Sequence, residues 1–231
     1  MDKCWFSELC VKSGEQSCQR CVNNGLYYVA KQMFIPKSGI PDNYHFLKLV
    51  DLDLTGDLVK LNFYLENLTC LIDNGKGIYL WGKNPGTGKT SLGCLMLLRY
   101  LSYSIMADPY SLDNRRVLYL NTTEFLERLR KSMNSPDQDL EILMNELTDK
   151  ELAPKVILFD DIGAEKQSEW VQERLYSLVN FRVSNSLANI FTSNCSLDEL
   201  AAKVGARTYS RIVGCAQPVN LSGKDMRRCT W

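Results

Sequence analysis

The sequence predicts an α/β fold with a mainly parallel sheet flanked by helices, preceded by a small cysteine-rich segment. Three observations carry this. From about residue 50 onward, short apolar runs of strand length alternate with stretches of helical period. A glycine-rich loop, Gly82 to Gly88, joins one such strand to one such helix. Of nine cysteines, at 4, 10, 18, 21, 70, 94, 195, 215 and 229, four fall within the first 21 residues.

The elements can be justified in chain order. Residues 1–45 are polar and weakly periodic, and they end in Phe34-Ile35-Pro36-Lys37-Ser38-Gly39-Ile40-Pro41, where two prolines and a glycine read as a linker. Residues 46–231 form the second unit. Leu58, Leu61, Leu65 and Leu68 place a helix over 56–72. Gly77 to Trp81 is a short strand, and a helix follows from Lys89 with Leu92, Leu95, Met96, Tyr100 and Tyr103 on one side. Arg116 to Leu120 is a strand. Asn121 with Glu124 then caps a helix to Met133 whose apolar face is Phe125, Leu126, Leu129 and Met133. Val156 to Phe159 reads as a wholly buried strand, Trp170 to Val183 as a helix and Asn189 to Thr192 as a strand. Ser196 and Glu199 make a capping box for a short helix from Leu197, and a last strand covers Pro218 to Leu221.

Composition excludes several classes of function. The 231 residues carry 27 basic and 27 acidic side chains, so the formal charge is zero and a polycation held on nucleic acid by bulk charge is ruled out. Hydrophobic residues at 45% and charged residues at 23% exclude a disordered chain. The longest apolar runs, such as Cys94 to Leu98, are too short to span a bilayer. The N-terminus shows no basic-then-apolar signal segment. A soluble, cytoplasmic protein without membrane contact is expected. In that setting an odd number of cysteines argues against a disulfide framework.

The strongest motif is Gly82-Lys83-Asn84-Pro85-Gly86-Thr87-Gly88-Lys89-Thr90-Ser91, a phosphate-binding loop between strand and helix. Its glycines let successive backbone N–H groups curl around phosphate oxygens, and the helix N-terminus adds its positive end. Lys89 can reach the β- and γ-phosphates, and the Thr90 hydroxyl can ligate magnesium. One position departs from the strict pattern: counting back five from Gly88 gives Lys83, and the glycine is one residue early, at Gly82. That places the entry turn in question but leaves the cradle from Gly86 to Thr90 intact.

A second motif is Val156-Ile157-Leu158-Phe159-Asp160-Asp161, a buried strand ending in two carboxylates. In phosphate-loop ATPases such a strand is expected beside the loop strand, with Asp160 in the magnesium shell and Asp161 polarising the attacking water. Aspartate is shorter than the glutamate often found at that second position, which leaves the base geometry open. Ile190-Phe191-Thr192-Ser193-Asn194 is another strand with a polar end, and Asn194 could orient the same water.

With these elements in this order, the sequence resembles the DnaC/DnaI-type helicase loaders of the AAA+ ATPases, including versions encoded by bacteriophages. The matching stretches are Trp81 to Thr90, Leu158-Phe159-Asp160-Asp161-Ile162-Gly163-Ala164-Glu165, and Phe191-Thr192-Ser193-Asn194. The resemblance covers roughly residues 40–231 and implies a P-loop AAA+ core using ATP and Mg2+. It also implies that Arg211 is an arginine finger reaching a neighbouring subunit's nucleotide, with Arg207 the competing candidate. Arg227 matches the arginine that senses nucleotide in cis, although the sequence stops at Trp231, with no room for the helical lid that usually carries it.

Cys4, Cys10, Cys18 and Cys21 give C-x5-C-x7-C-x2-C, read as a Zn2+-binding head over residues 1–45. A segment this small needs a metal to fold, and it resembles the metal-binding head of the DnaI type. His45, the only histidine, reads as a surface residue. On the 121–133 helix, Arg128, Arg130 and Lys131 lie away from the apolar face and, by the resemblance, face single-stranded DNA. The stretch from Asp137 to Glu151, with six acidic side chains and one lysine, is excluded from that contact.

The function these readings imply is ATP-dependent loading of a hexameric replicative helicase of DnaB/DnaC type onto single-stranded DNA, by loader subunits joined through ATP. Two alternatives keep the nucleotide site. One is an IstB-like transposase helper, which should lack the cysteine head; the other is a nucleotide-binding adaptor that does not hydrolyse. A small-molecule phosphotransferase fits the Asp-Asp strand and Asn194 poorly.

Overall fold

In a computed structural model, residues 34–45, 57–107, 117–164 and 168–222 are described. Five strands form one sheet: β1 (Gly77–Trp81), β2 (Val117–Asn121), β3 (Val156–Asp160), β4 (Ala188–Ser193) and β5 (Ala216–Asn220). Their order is β2-β3-β4-β1-β5, and every pairing is parallel. The helices are α1 (Ile35–Ser38), α2 (Asp57–Glu66), α3 (Leu68–Asp73), α4 (Lys89–Ala107), α5 (Thr122–Ser132), α6 (Gln138–Thr148), α7 (Glu169–Ser184), α8 (Leu197–Val204) and α9 (Ala206–Cys215), with a 3-10 turn at Asp42–Tyr44.

The sheet is apolar on both faces, as helices on both sides require. One core layer joins Ile78, Leu80, Val156, Leu158 and Ile190 to α2, α3 and α4. The other joins Tyr79, Ile157, Phe159 and Phe191 to α5, α6, α7, α8 and α9. Successive residues of β3 therefore point to opposite layers, and all five of its residues are buried. Phe159 and Phe191 stack across β3 and β4, with ring centroids 5.3 Å apart.

The fold class expected from the sequence is present in its core: a parallel sheet flanked by helices. Four features differ from expectation. The strand ending in Asp160 does not lie beside the loop strand; β4 pairs with both β1 and β3 and separates them. The helix over 56–72 is two helices broken at Asn67, although Leu61, Leu65 and Leu68 share one buried face as their spacing requires. The segment read as a linker packs on the core, since Phe34, Ile35 and Ile40 are only 4–5% exposed. The stretch from Asp137 to Glu151, read only as an acidic run, contains α6. Its face of Leu140, Leu143, Met144 and Leu147 meets the core, and the Asp137 carboxylate caps it by accepting from Leu140 N at 3.1 Å.

Local chemistry starts the other helices as the sequence indicated. Asn121 Oδ1 accepts from Glu124 N at 3.1 Å. Ser196 and Glu199 form the reciprocal capping box. Among the described residues, no helix is long and apolar enough to cross a membrane. The cysteines proposed for Zn2+ (Cys4, Cys10, Cys18 and Cys21) and Arg227 lie outside the described residues.

Candidate functional site

The C-terminal ends of β1, β3 and β4 open onto one cleft of about 430 Å³. Its walls are the loop from Pro85 to Ser91, the strand ends Asn121, Asp160, Asp161, Thr192 and Asn194, and Tyr44. Ligands of open α/β sheets collect at this edge because helix N-termini and strand-end side chains converge there. The insertion of β4 between β1 and β3 has a chemical consequence. The polar end of β4 is set between the loop and the two aspartates.

Gly86 and Gly88 sit at φ +74° and +86°, the left-handed region that a curled loop requires. Lys89 begins α4 and is 8% exposed. Its ammonium donates to the Gly82 and Asn84 carbonyls, each at 3.0 Å, and to Thr87 Oγ1 at 3.3 Å. The loop thus holds its own lysine across its mouth. Gly82 has a different task from the loop glycines. It donates to Ser193 O, and a Cβ there would collide with the Leu221 carbonyl, so close strand packing demands glycine. The residue at the unorthodox loop position, Lys83, points away from the cleft and pairs with Glu199 at 3.1 Å on the surface.

Asp160 is 6% exposed, and both of its oxygens are bonded. Oδ1 accepts from Thr90 at 2.8 Å and from Thr192 at 2.5 Å; Oδ2 accepts from Tyr119 at 2.8 Å. Hydrogen bonds to a charged group contribute about 1.5–3 kcal/mol each, so three hydroxyls can hold a buried carboxylate in place. Asp161 adopts φ +57°, a conformation costly for most residues and tolerated by aspartate. Its N–H donates to Thr192 Oγ1 at 2.9 Å, and Asn194 Nδ2 donates to its Oδ1 at 3.1 Å. Burial, and then the neighbouring Asp160 charge, raise the Asp161 pKa above its ordinary value, with Lys89 opposing.

The structure therefore gathers Lys89, Thr90, Asp160, Asp161 and Asn194 around one cleft. Tyr44, Tyr119 and Thr192 were not anticipated as site residues. Thr192 lay within the Phe-Thr-Ser-Asn stretch, and its place on a strand of alternating faces was the available signal. Tyr119 and Tyr44 left no local signal, because their roles arise from pairing between distant segments. The set fits a nucleotide with a hard divalent cation. Thr90 Oγ1 and Asp160 Oδ1, 2.8 Å apart, are the oxygen donors that such a cation takes, and Lys89 supplies the charge for phosphate.

The remaining candidates lie elsewhere. Arg207 and Arg211 are both exposed on α9, and Arg207 lies over the ring of Tyr176, 6.0 Å from its centroid. Arg128 makes a two-pronged ion pair with Asp137, at 2.6 and 2.8 Å. Arg130 lies 5.6 Å from the centroid of Trp170, and Lys131 is exposed. Among the described residues, no group of three or more His, Cys, Asp or Glu side chains could hold a metal ion by itself. His45 bonds the Ile40 carbonyl at 2.7 Å.

No family model matches the chain. It is 32% identical over 166 residues to "Replicative helicase loader DnaI" of Bacillus subtilis (strain 168), a match covering 66% of this chain and 48% of that protein. The chain thus matches about half the length of this curated relative. Its fold is similar to a crystal structure of the DnaC helicase loader, with TM-score 0.56 and 21% identity over 80% of this chain and 97% of that one. It is likewise similar to a crystal structure of DnaI, with TM-score 0.57 and 22% identity over 76% and 87%. The chain is therefore similar to DnaI in sequence over part of that protein, and to the DnaC and DnaI structures in fold.

Proposed function

We propose that the chain is an ATPase that loads a hexameric replicative helicase of DnaB/DnaC type onto single-stranded DNA as replication begins. The observation that carries this is the contact of Thr90 with Asp160 at 2.8 Å beneath the Asp161–Asn194 pair, in a chain similar to a replicative helicase loader. In this reading Lys89 exchanges the Gly82 and Asn84 carbonyls for phosphate oxygens. Gly86 to Ser91 cradle the phosphates with backbone N–H groups. Thr90 and Asp160 hold Mg2+, which when bound neutralises charge on the phosphate oxygens. Asp161 accepts a proton from water that Asn194 helps to orient, and its raised pKa suits a base better than an ordinary aspartate's.

Arg211 is the side chain assigned to complete a neighbouring subunit's site, because Arg207, also exposed, is engaged with Tyr176. An arginine finger implies an ATP-bridged oligomer. The four N-terminal cysteines form a Zn2+-held handle for the helicase, and Arg227 senses nucleotide. Arg128, Arg130 and Lys131 contact single-stranded DNA, for which Arg128 must leave Asp137. The protein works in the cytoplasm of a bacterial or phage-infected cell.

Capture of the host's replicative helicase by the tagged full chain tests the reading. Helicase is retained in the predicted case; its absence from the captured fraction overturns the loader assignment. Arg211→Ala should keep ATP binding and lower turnover by about 10³-fold or more, measured as phosphate release. Normal turnover in that variant would remove Arg211 from the site.

A further inference from the structure

Asp160 receives hydrogen bonds from two directions. Thr90 and Thr192 reach Oδ1 from the loop helix and from β4. Tyr119 reaches Oδ2 from the opposite side, out of β2. The register explains why tyrosine is long enough for this. Asn121 pairs with Asp160 and Tyr119 pairs with Leu158, so Tyr119 stands on the same face as Asn121, one pleat earlier. A phenol spans that offset where serine or threonine would not. The Tyr119 backbone is also backed by the 34–45 segment: a Cβ on Gly39 would come within 3.1 Å of its carbonyl oxygen.

We infer that Tyr119 is a positioning residue for Asp160, holding Oδ2 so that Oδ1, the oxygen shared with Thr90, faces the divalent cation. The inference rests on the nucleotide reading proposed above. Burial and the Asp160 charge push the Tyr119 hydroxyl well above its ordinary pKa, so it remains a donor throughout the working range. Without this donor, Oδ2 would be a buried acceptor with no partner. The carboxylate would then rotate toward a new partner, which weakens it as a ligand for a hard cation.

The test uses the full chain and a fluorescent ATP analogue, with affinity measured in Mg2+ and in EDTA. The ratio of the two affinities reports cation binding without any turnover. Tyr119→Phe keeps the ring and removes the hydroxyl. It should leave affinity in EDTA unchanged and lower the ratio by about 10- to 100-fold, the usual effect of losing an outer partner of a metal ligand. Circular dichroism establishes that the variant is folded. A ratio within about twofold of the unmodified chain overturns the inference. In an Asp160→Asn background the same substitution should have no further effect, and an equal fall there overturns the route through Asp160. If the unmodified chain binds no analogue, or binds equally in Mg2+ and EDTA, the nucleotide reading itself fails.

Discussion

Asp160 and Arg182 are buried charges near opposite ends of the sheet, and the two are held in contrasting ways. At the C-terminal end Asp160, 6% exposed, is held by three hydroxyls and borders the cleft. At the opposite end Arg182, 0% exposed, is held by the carbonyls of Pro154, Lys155 and Ala188 and by Asn189 Oδ1, at 2.6–3.5 Å. Burial lowers the Arg182 pKa to about 9, which still leaves it charged at neutral pH. Hydroxyls can turn to a new partner, and one of those on Asp160 belongs to the phosphate loop. Backbone carbonyls at strand starts are fixed by the fold. A buried charge with exchangeable partners is suited to binding; one enclosed by backbone ties α7 to β3 and β4.

Substitution should separate the two roles. The largest expected effect on stability is from Arg182→Met, which strands several buried acceptors. It should cost about 3–5 kcal/mol in urea unfolding, while nucleotide affinity of the folded fraction is unchanged. A loss of affinity without loss of stability would break the contrast.

Asp161→Asn should act in the opposite direction. The folded pKa of Asp161 lies above its ordinary value of 3.8. The group therefore favours the folded state fully below 3.8, and that contribution is lost as pH rises through the folded value. At neutral pH the ionised Asp161 is a liability beside Asp160. Asparagine removes the charge and tolerates the left-handed backbone. The melting temperature should rise at pH 7, with the gain shrinking toward pH 4, while the proposed hydrolysis is lost. A lower melting temperature at pH 7 would show that the carboxylate is stabilising.

The smallest effect should come from Lys83→Ala. Its pair with Glu199 joins side chains that are 70% and 46% exposed. Stability should change by less than about 1 kcal/mol, less again in high salt, and nucleotide affinity should not change. A large loss of affinity would place Lys83 at the cleft.

These contrasts also mark what was legible in the sequence. The loop, the Asp-Asp strand and the caps at Asn121 and Ser196 are local chemistry, written in consecutive residues. The position of β4 between β1 and β3 is not local, so Thr192 became visible as an Asp160 partner only with the sheet order. Tyr119 enters the site by meeting Asp160 across 41 residues of sequence, and Tyr44 by packing beside a loop that is no nearer in the chain. Helix α6 was legible from Leu140, Leu143, Met144 and Leu147, but the surrounding acidic residues drew the reading toward a charge run. Arg182 carries no local signal of burial, because its acceptors come from the starts of two strands.

Thermal unfolding of the full chain with and without ATP and Mg2+ tests the central claim most directly. Ligand at 100 times its Kd should stabilise the folded state by about 2.7 kcal/mol, raising the melting temperature. Lys89→Ala should abolish that rise while leaving the ligand-free melting temperature close to the original. If the unmodified chain shows no rise, or the variant shows the same rise, the cleft is not the nucleotide site described.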